Sequence, residues 1–149
     1  NASNKIWRND GDMIFSDITE SSGISSQEDT KSYGASFGDY NNDGFLDLYI
    51  CNYHTYVDVS TNELYQNNGD GTFTNVTVLA GVANGLAQSF QSTFIDIDLD
   101  GHLDLHVIND RTDCPNVFYK NNGDGSFTDM AIEWEVDLTI LAMSSSFGD

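Results

Sequence analysis

The stretch FIDIDLDGHLDL, residues 94–105, places aspartate at three alternate positions, follows them with glycine and ends in an alternation of apolar and polar residues. An earlier stretch, FGDYNNDGFLDL at residues 37–48, has the same arrangement. Both read Asp-x-Asp/Asn-x-Asp-Gly-x-x-Asp. Like charges repel at this spacing, so each acidic loop costs stability unless a cation neutralises it.

The two acidic loops belong to a longer repeat. Residues 35–52 align without gaps on the sequence from Ser92 onward, with an offset of 57 residues. A second motif, built around Asn-Asn-Gly-Asp-Gly, occurs at residues 64–77 and again at residues 118–131, with an offset of 54. Self-similarity at a fixed period indicates a repeat architecture, here with a period of about 55 residues.

The two ends of the chain carry parts of the same unit. Residues 6–19 match the second motif alone, and SSSFGD at residues 144–149 repeats the start of the first motif and stops at Asp149. We therefore predict the second half of a unit at residues 1–33, full units at residues 34–91 and 92–143, and the first strand of a truncated unit at residues 144–149.

Each unit is predicted to be a β-sheet. Leu46, Leu48 and Ile50 alternate with Asp47 and other residues of the opposite face, which is the period of a strand. The Asn/Gly-rich second motif lies between short aromatic runs and indicates a hairpin. We expect an all-β fold with four short antiparallel strands per unit. The segments at residues 76–88 and 130–143 are each expected to form a helical turn or an extra strand.

Composition excludes several classes of partner. The chain has 149 residues, with 5 Lys and Arg against 24 Asp and Glu, and a formal net charge of -19. This balance repels nucleic-acid phosphates and anionic lipid headgroups, whereas divalent cations are its natural counter-charge. No apolar run approaches the length of a membrane span, so we expect no membrane insertion.

The acidic loops have the spacing of a calcium site. Calcium prefers six to eight hard oxygen ligands, and glycine at position 6 permits the sharp turn that aims positions 1, 3 and 5 inward. Position 7 would supply its backbone carbonyl and position 9 would close the shell. The predicted ligands are Asp39, Asn41, Asp43, Phe45 and Asp47 in the first loop, and Asp96, Asp98, Asp100, His102 and Asp104 in the second.

Other metals and motifs fit less well. An EF-hand would need a bidentate glutamate at position 12, where Ile50 and Val107 stand here. Magnesium prefers water and near-ideal octahedral geometry, and transition metals favour nitrogen or sulfur ligands. With four carboxylates against three, the second loop is expected to bind calcium more tightly. Asp149 marks the start of a truncated metal site, whereas the second motif's Asn and Asp residues are expected to be turn residues.

These residues resemble FG-GAP repeats, also called VCBS repeats, which form the β-propellers of integrin α subunits and of many secreted bacterial proteins. The sequence at residues 64–82 resembles the variant that precedes an ASPIC/UnbV segment. The resemblance implies four-stranded blades, calcium in the loop joining the first two strands, and an extracellular or cell-surface location. A closed propeller needs at least four blades, so we expect either a partial β-propeller or an open stacked array.

Cysteines and sequons leave alternatives open. Cys51 and Cys114 have no metal-type spacing and form either a disulfide or two small buried residues. Asn1 and Asn75 lie in N-glycosylation sequons, which matter only if the protein is secreted.

No nucleophile, base and orienting group occur together as a recognisable set, so we expect no catalysis. The leading hypothesis is a non-catalytic, calcium-binding extracellular repeat module with a structural or adhesive role. Its partners would be other repeats or further copies of the chain, assembled into a fibre. The alternative is a propeller domain of a larger secreted protein that binds carbohydrate or a protein ligand.

Overall fold

The computed structural model describes residues 4–24, 30–53, 55 and 60–147, and the fold is all-β as predicted. Its elements are β1 (Trp7–Gly11), β2 (Ile14–Asp17), β3 (Ser32–Gly38), β4 (Asp47–Asn52), β5 (Glu63–Asn67), β6 (Phe73–Asn75), α1 (Thr77–Ala80), β7 (Ser89–Ile95), β8 (Asp104–Asn109), β9 (Val117–Asn121) and β10 (Phe127–Asp129).

Two four-stranded antiparallel sheets repeat the same topology. The first sheet has the order β3-β4-β5-β6 and the second the order β7-β8-β9-β10, while β1 and β2 form a separate hairpin. Gly38 pairs with Asp47, and Ile95 pairs with Asp104, so each acidic loop connects the first two strands of its sheet. We call the two sheets the first and second blades, and β1-β2 the half-blade. The unit boundaries predicted from the sequence stay predictions.

Each blade buries both faces. In β4, Tyr49 and Cys51 join a core shared with Leu105 and Val107 of the second blade. The alternate residues of β4, Leu48 and Ile50, join a second core on the side of the half-blade, together with Ile24, Tyr65, Ile6 and Phe73. Because neighbouring residues of one strand point to opposite faces, a single strand contributes to two interfaces.

The segments after the hairpins contain little regular structure. The only helix among the described residues is α1, a single turn that ends at Gly81, whose φ of 78° favours glycine. Residues 130–143 form turns without a helix or a strand. This segment covers the outer face of the second blade, where the Trp134 ring lies 5.1 Å from the Phe118 ring.

The disulfide between Cys51 and Cys114 is not formed. Both thiols are free. Cys51 is fully buried in the core between the blades, where desolvation raises the pKa of its thiol to about 12. Cys114 lies in the turn between β8 and β9 and donates to the Gln88 side chain at 3.0 Å. The two residues are therefore held in separate environments, and the other alternative is only half right because Cys114 is not fully buried.

Buried asparagine and serine side chains connect successive blades. Asn62 donates to Ser89 Oγ at 2.8 Å, and Ser89 donates to Asn109 Oδ1 at 2.9 Å. The same geometry occurs one repeat earlier, where Asn4 donates to Ser32 and Ser32 donates to Asn52. The backbone N–H of Asn52 in turn donates to Asn62 Oδ1 at 2.8 Å. We call this repeated set the Asn–Ser network.

Candidate metal centre

The first acidic loop is closed by hydrogen bonds from its own backbone. Asp39 Oδ1 accepts the N–H of Asp43 at 3.0 Å, and Oδ2 accepts the N–H of Gly44 at 2.9 Å. Gly44 has a φ of +90°, which a residue with a side chain rarely adopts. Glycine at position 6 is therefore required by the turn, as the sequence predicts.

The second loop reproduces this geometry atom for atom. Asp96 Oδ1 accepts the N–H of Asp100 at 3.0 Å and Oδ2 accepts the N–H of Gly101 at 3.0 Å. Position 4 has a φ of 59° in both loops, although it is Asn42 in one and Leu99 in the other. Two different sequences thus adopt the same backbone conformation, so this conformation is a conserved feature of the repeat within the chain and does not depend on the residue at position 4.

The aspartate at position 9 of each loop is buried. Asp47 accepts the N–H groups of Tyr40 at 3.2 Å and Asn67 at 2.8 Å. Asp104 accepts those of Ile97 at 3.2 Å and Asn121 at 2.8 Å. Each closing aspartate therefore joins its loop to the third strand of the blade as well as to the first two.

Burial has an electrostatic consequence at these two positions. Desolvation raises the pKa of Asp47 to about 6, against the lowering effect of the N–H donors from Asn67 and Tyr40, and the negative charges of Asp43 and Asp39 raise it further. Desolvation likewise raises the pKa of Asp104. A positive charge at the loop would favour the ionised form of both carboxyl groups.

Three carboxylates of the second loop converge. Asp96, Asp98 and Asp104 each offer an oxygen, and these oxygens lie within 4.8 Å of one another. All three are carboxylate oxygens, which fits a hard divalent cation such as calcium. In the first loop, position 3 is Asn41, whose amide nitrogen donates to Asp43 Oδ2 at 2.8 Å and whose oxygen accepts the N–H of Asp43.

The residues at position 7 have a second contact. The ring of Phe45 lies against Gly69, where an added Cβ would meet it at 2.7 Å, and the ring of His102 lies against Gly123 in the same way, at 3.0 Å. The hairpin turn of each blade thus packs on its acidic loop. Calcium ligation by the carbonyls of Phe45 and His102 stays a prediction, and Asp149 and Asn1 lie outside the described residues.

Family comparison agrees with this duplicated geometry. A family model described as an FG-GAP-like repeat matches residues 1–50 and 55–107. The chain belongs to the FG-GAP-like repeat family. No curated protein matches the chain. FG-GAP repeats are generally associated with calcium binding and typically occur in extracellular proteins. Among the described residues, no helix is long and apolar enough to cross a membrane.

The acidic loops of the two FG-GAP repeats touch each other. Asn42 Nδ2 donates to the carbonyl of Gly101 at 2.9 Å and lies 3.2 Å from His102 Nδ1. Asn121 Nδ2 donates to the carbonyl of Tyr40 at 2.8 Å. Adjacent FG-GAP repeats therefore place both candidate metal loops at the same end of the blades.

Two contacts at the site escaped prediction from the sequence, although the turn role of the second motif's asparagines was predicted and is confirmed. Asn67 and Asn121 bind the closing aspartates through their backbone, and their side chains shape the hairpin turn by accepting the N–H of Gly69 or Gly123. Their identical place in both FG-GAP repeats was the available signal. Lys120 lies beside Asp98 and Asp100, and nothing in the sequence spacing indicates this contact.

Proposed function

We propose that this chain is a calcium-stabilised, non-catalytic repeat module of an extracellular β-propeller-like domain. The observation that supports it best is the duplicated acidic loop with its buried closing aspartate. A counter-charge beside these two buried carboxylates would lower the cost of keeping them ionised.

Calcium fits the donor set better than other cations. The side chains that face each other are carboxylates and one amide, with no nitrogen or sulfur ligand among them. When bound, calcium would neutralise the repulsion within each loop. Magnesium would retain several waters and needs stricter octahedral geometry than a nine-residue loop of this kind offers.

The residues around the loop would pass this stabilisation to the blade. Asp47 connects the loop to β5 through Asn67, and Asp39 holds the turn through two backbone N–H groups. Ordering the loop therefore orders the connection between the first three strands of a blade. The proposed role is structural, because the site acts on the sheet that carries it.

A role in assembly with other repeats is supported by an apolar groove on the surface of the described residues. The groove lies between the half-blade and the first blade and is lined by residues that include Trp7, Tyr33, Phe37 and Leu48. The half-blade corresponds to the last two strands of a blade, and within the described part of the chain β1 pairs with β2 alone. We propose that the first two strands of another repeat, in a longer chain or in a second copy, occupy this groove and pair with β1.

Thermal unfolding in calcium and in excess chelator tests the calcium proposal. Calcium at about 100 times its dissociation constant would raise the free energy of unfolding by about 2.7 kcal/mol per site, or roughly 5–10 °C in melting temperature. Asp96→Asn should reduce this difference. Asp113→Asn is the matched control, because it removes the same charge from an exposed turn outside the loops.

Equal melting temperatures in calcium and chelator would contradict the proposal. Light scattering on the same samples tests assembly. Growth of particle size in calcium, abolished by Trp7→Ser, would support pairing at the groove, whereas a monodisperse monomer under both conditions would count against assembly of separate copies.

A further inference from the structure

One lysine sits inside the charge cluster of the second loop. Lys120 is the fourth residue of β9, directly before Asn121, whose N–H binds the closing Asp104. The Lys120 ammonium forms an ion pair with Asp98 Oδ2 and lies 3.3 Å from Asp100 Oδ2. It therefore contacts positions 3 and 5 of the loop, two of the predicted calcium ligands.

The sequence of the first full repeat, residues 34–91, contains no lysine or arginine. Tyr65 pairs with Leu48 and Tyr119 pairs with Leu105, so the residue that corresponds to Lys120 is Gln66. The loops also differ at position 3, which is Asn41 in the first and Asp98 in the second. The first loop has three carboxylates, whereas the second has four beside one ammonium, so both arrangements carry the same net charge of -3.

We propose that Lys120 is a tethered counter-cation that competes with calcium for the second loop. This inference rests on the proposed calcium function. It offsets the affinity advantage expected for the second loop from carboxylate count alone, because calcium must displace the ammonium from Asp98 and Asp100 before both can turn to the metal. In the absence of calcium, Lys120 keeps the second loop partly neutralised, whereas its counterpart in the first blade, Gln66, carries no charge.

The side chain of Lys120 is suited to such a role. It is about one-third exposed, at 30%, as are its two partners at 33% and 36%, so the ion pair is partly screened by water and can open at modest cost. Lysine is a point charge on a flexible stem and makes no rigid bidentate pair. The ammonium can therefore leave the loop for solvent while the backbone of β9 stays in place.

Calcium titration followed by NMR at two backbone amides tests this inference. The N–H groups of Gly44 and Gly101 each donate to the position 1 aspartate of their own loop, so each reports one site. Lys120→Gln should lower the calcium concentration at the Gly101 midpoint by roughly tenfold and leave the Gly44 midpoint unchanged. Gln66→Lys should have the opposite effect on the first loop and raise the calcium concentration at the Gly44 midpoint.

Lys120→Arg is the control, because it retains the charge and can pair bidentately with a carboxylate, so its midpoint should lie at or above that of the wild type. An unchanged Gly101 midpoint in Lys120→Gln, with both glycines responding to calcium, would overturn the inference and leave the calcium function intact. No response at either glycine up to a few millimolar calcium, in the wild type and the variants, would overturn both. Superimposable spectra away from the loops would show that the variants fold.

Discussion

The hairpin turns contain residues in the left-handed backbone conformation, where glycine is favoured over other residues. In the hairpin turn of the first blade, Gly71 has a φ of 90°, and in the half-blade the corresponding residue is Met13, with a φ of 63°. A side chain in this region clashes with the neighbouring carbonyl oxygen. Met13 is also 88% exposed, so no packing compensates for the clash.

Met13→Gly is therefore expected to stabilise the protein. Relief of the left-handed strain exceeds the added entropy of glycine in the unfolded chain, and the net gain should be about 0.5–1 kcal/mol. Urea denaturation measures it. Gly71→Met is the reciprocal variant and should destabilise the protein, because a residue with a side chain is strained at a φ of 90°. Nothing lies within 4 Å of an added Cβ, so the effect comes from the backbone conformation and not from a clash. A gain from both substitutions would contradict this account.

The buried side chain of Glu63 makes the free energy of unfolding depend on pH. Desolvation raises its pKa, against hydrogen bonds from Tyr65 and Asn52 that lower it. A raised pKa means that the folded state holds the proton more tightly than the unfolded chain, so this group makes the protein less stable as pH rises above its usual 4.5.

Glu63→Gln should remove that dependence. The stability of the variant relative to the wild type should be greater at pH 7 than at pH 4, because only the wild type has to bury a charge at the higher pH. Denaturant unfolding at both pH values gives the difference, and the constant loss of one acceptor cancels. A difference that does not change with pH would show that Glu63 is neutral or solvated.

At the scale of elements, sequence patterns predicted what depends on local order. The acidic loops, the alternating strands and the hairpins follow from spacing within about ten residues, and the structure confirms the all-β fold. The Asn–Ser network did not follow, because Asn62, Ser89 and Asn109 are 27 and 20 residues apart and share no local pattern. The ion pair of Lys120 escaped for the same reason. The presence of two cysteines was the only sequence evidence for a disulfide between Cys51 and Cys114. In the structure Cys51 is buried in the core between the blades and Cys114 lies outside it, so the two thiols stay free.

Ser89→Ala tests the network. Ser89 is fully buried and accepts from Asn62 and Asn84 while donating to Asn109. Its loss leaves buried amide groups without a partner, and we expect a cost of about 1–3 kcal/mol in the free energy of unfolding. Ser32→Ala removes the corresponding but partly exposed serine and should cost less. Equal effects would mean that burial of the network contributes nothing.

At the scale of the whole molecule, the two blades meet through close backbone contact. A Cβ added to Gly34 would lie 2.5 Å from the carbonyl oxygen of Phe90 on β7, and one added to Gly38 would lie 2.6 Å from the Phe94 ring. Neither glycine has a positive φ, so glycine is required at these positions by the narrow space between β3 and β7 and not by the backbone conformation.

Gly34→Ala is expected to weaken the contact between the blades. The obstacle is backbone, which cannot move aside as a side chain can, and the cost of overpacking should be about 1–3 kcal/mol. Ala35→Ser adds one atom to the exposed neighbour and serves as the control. Thermal unfolding of both variants measures the effect, and a Gly34→Ala protein as stable as the control would mean that the strands separate without cost.

The alternation of faces within each blade also bears on how such a protein could evolve. Residues of β4 that face forward meet residues of β8 that face backward, and the same positions recur one repeat later with His106 where Tyr49 stands. Each blade thus has one packing surface on each side, and the same two surfaces recur in every repeat. A tandem duplication of one repeat in the gene would insert a blade whose two faces already match its neighbours, so the array could lengthen or shorten by whole units without inventing a new interface.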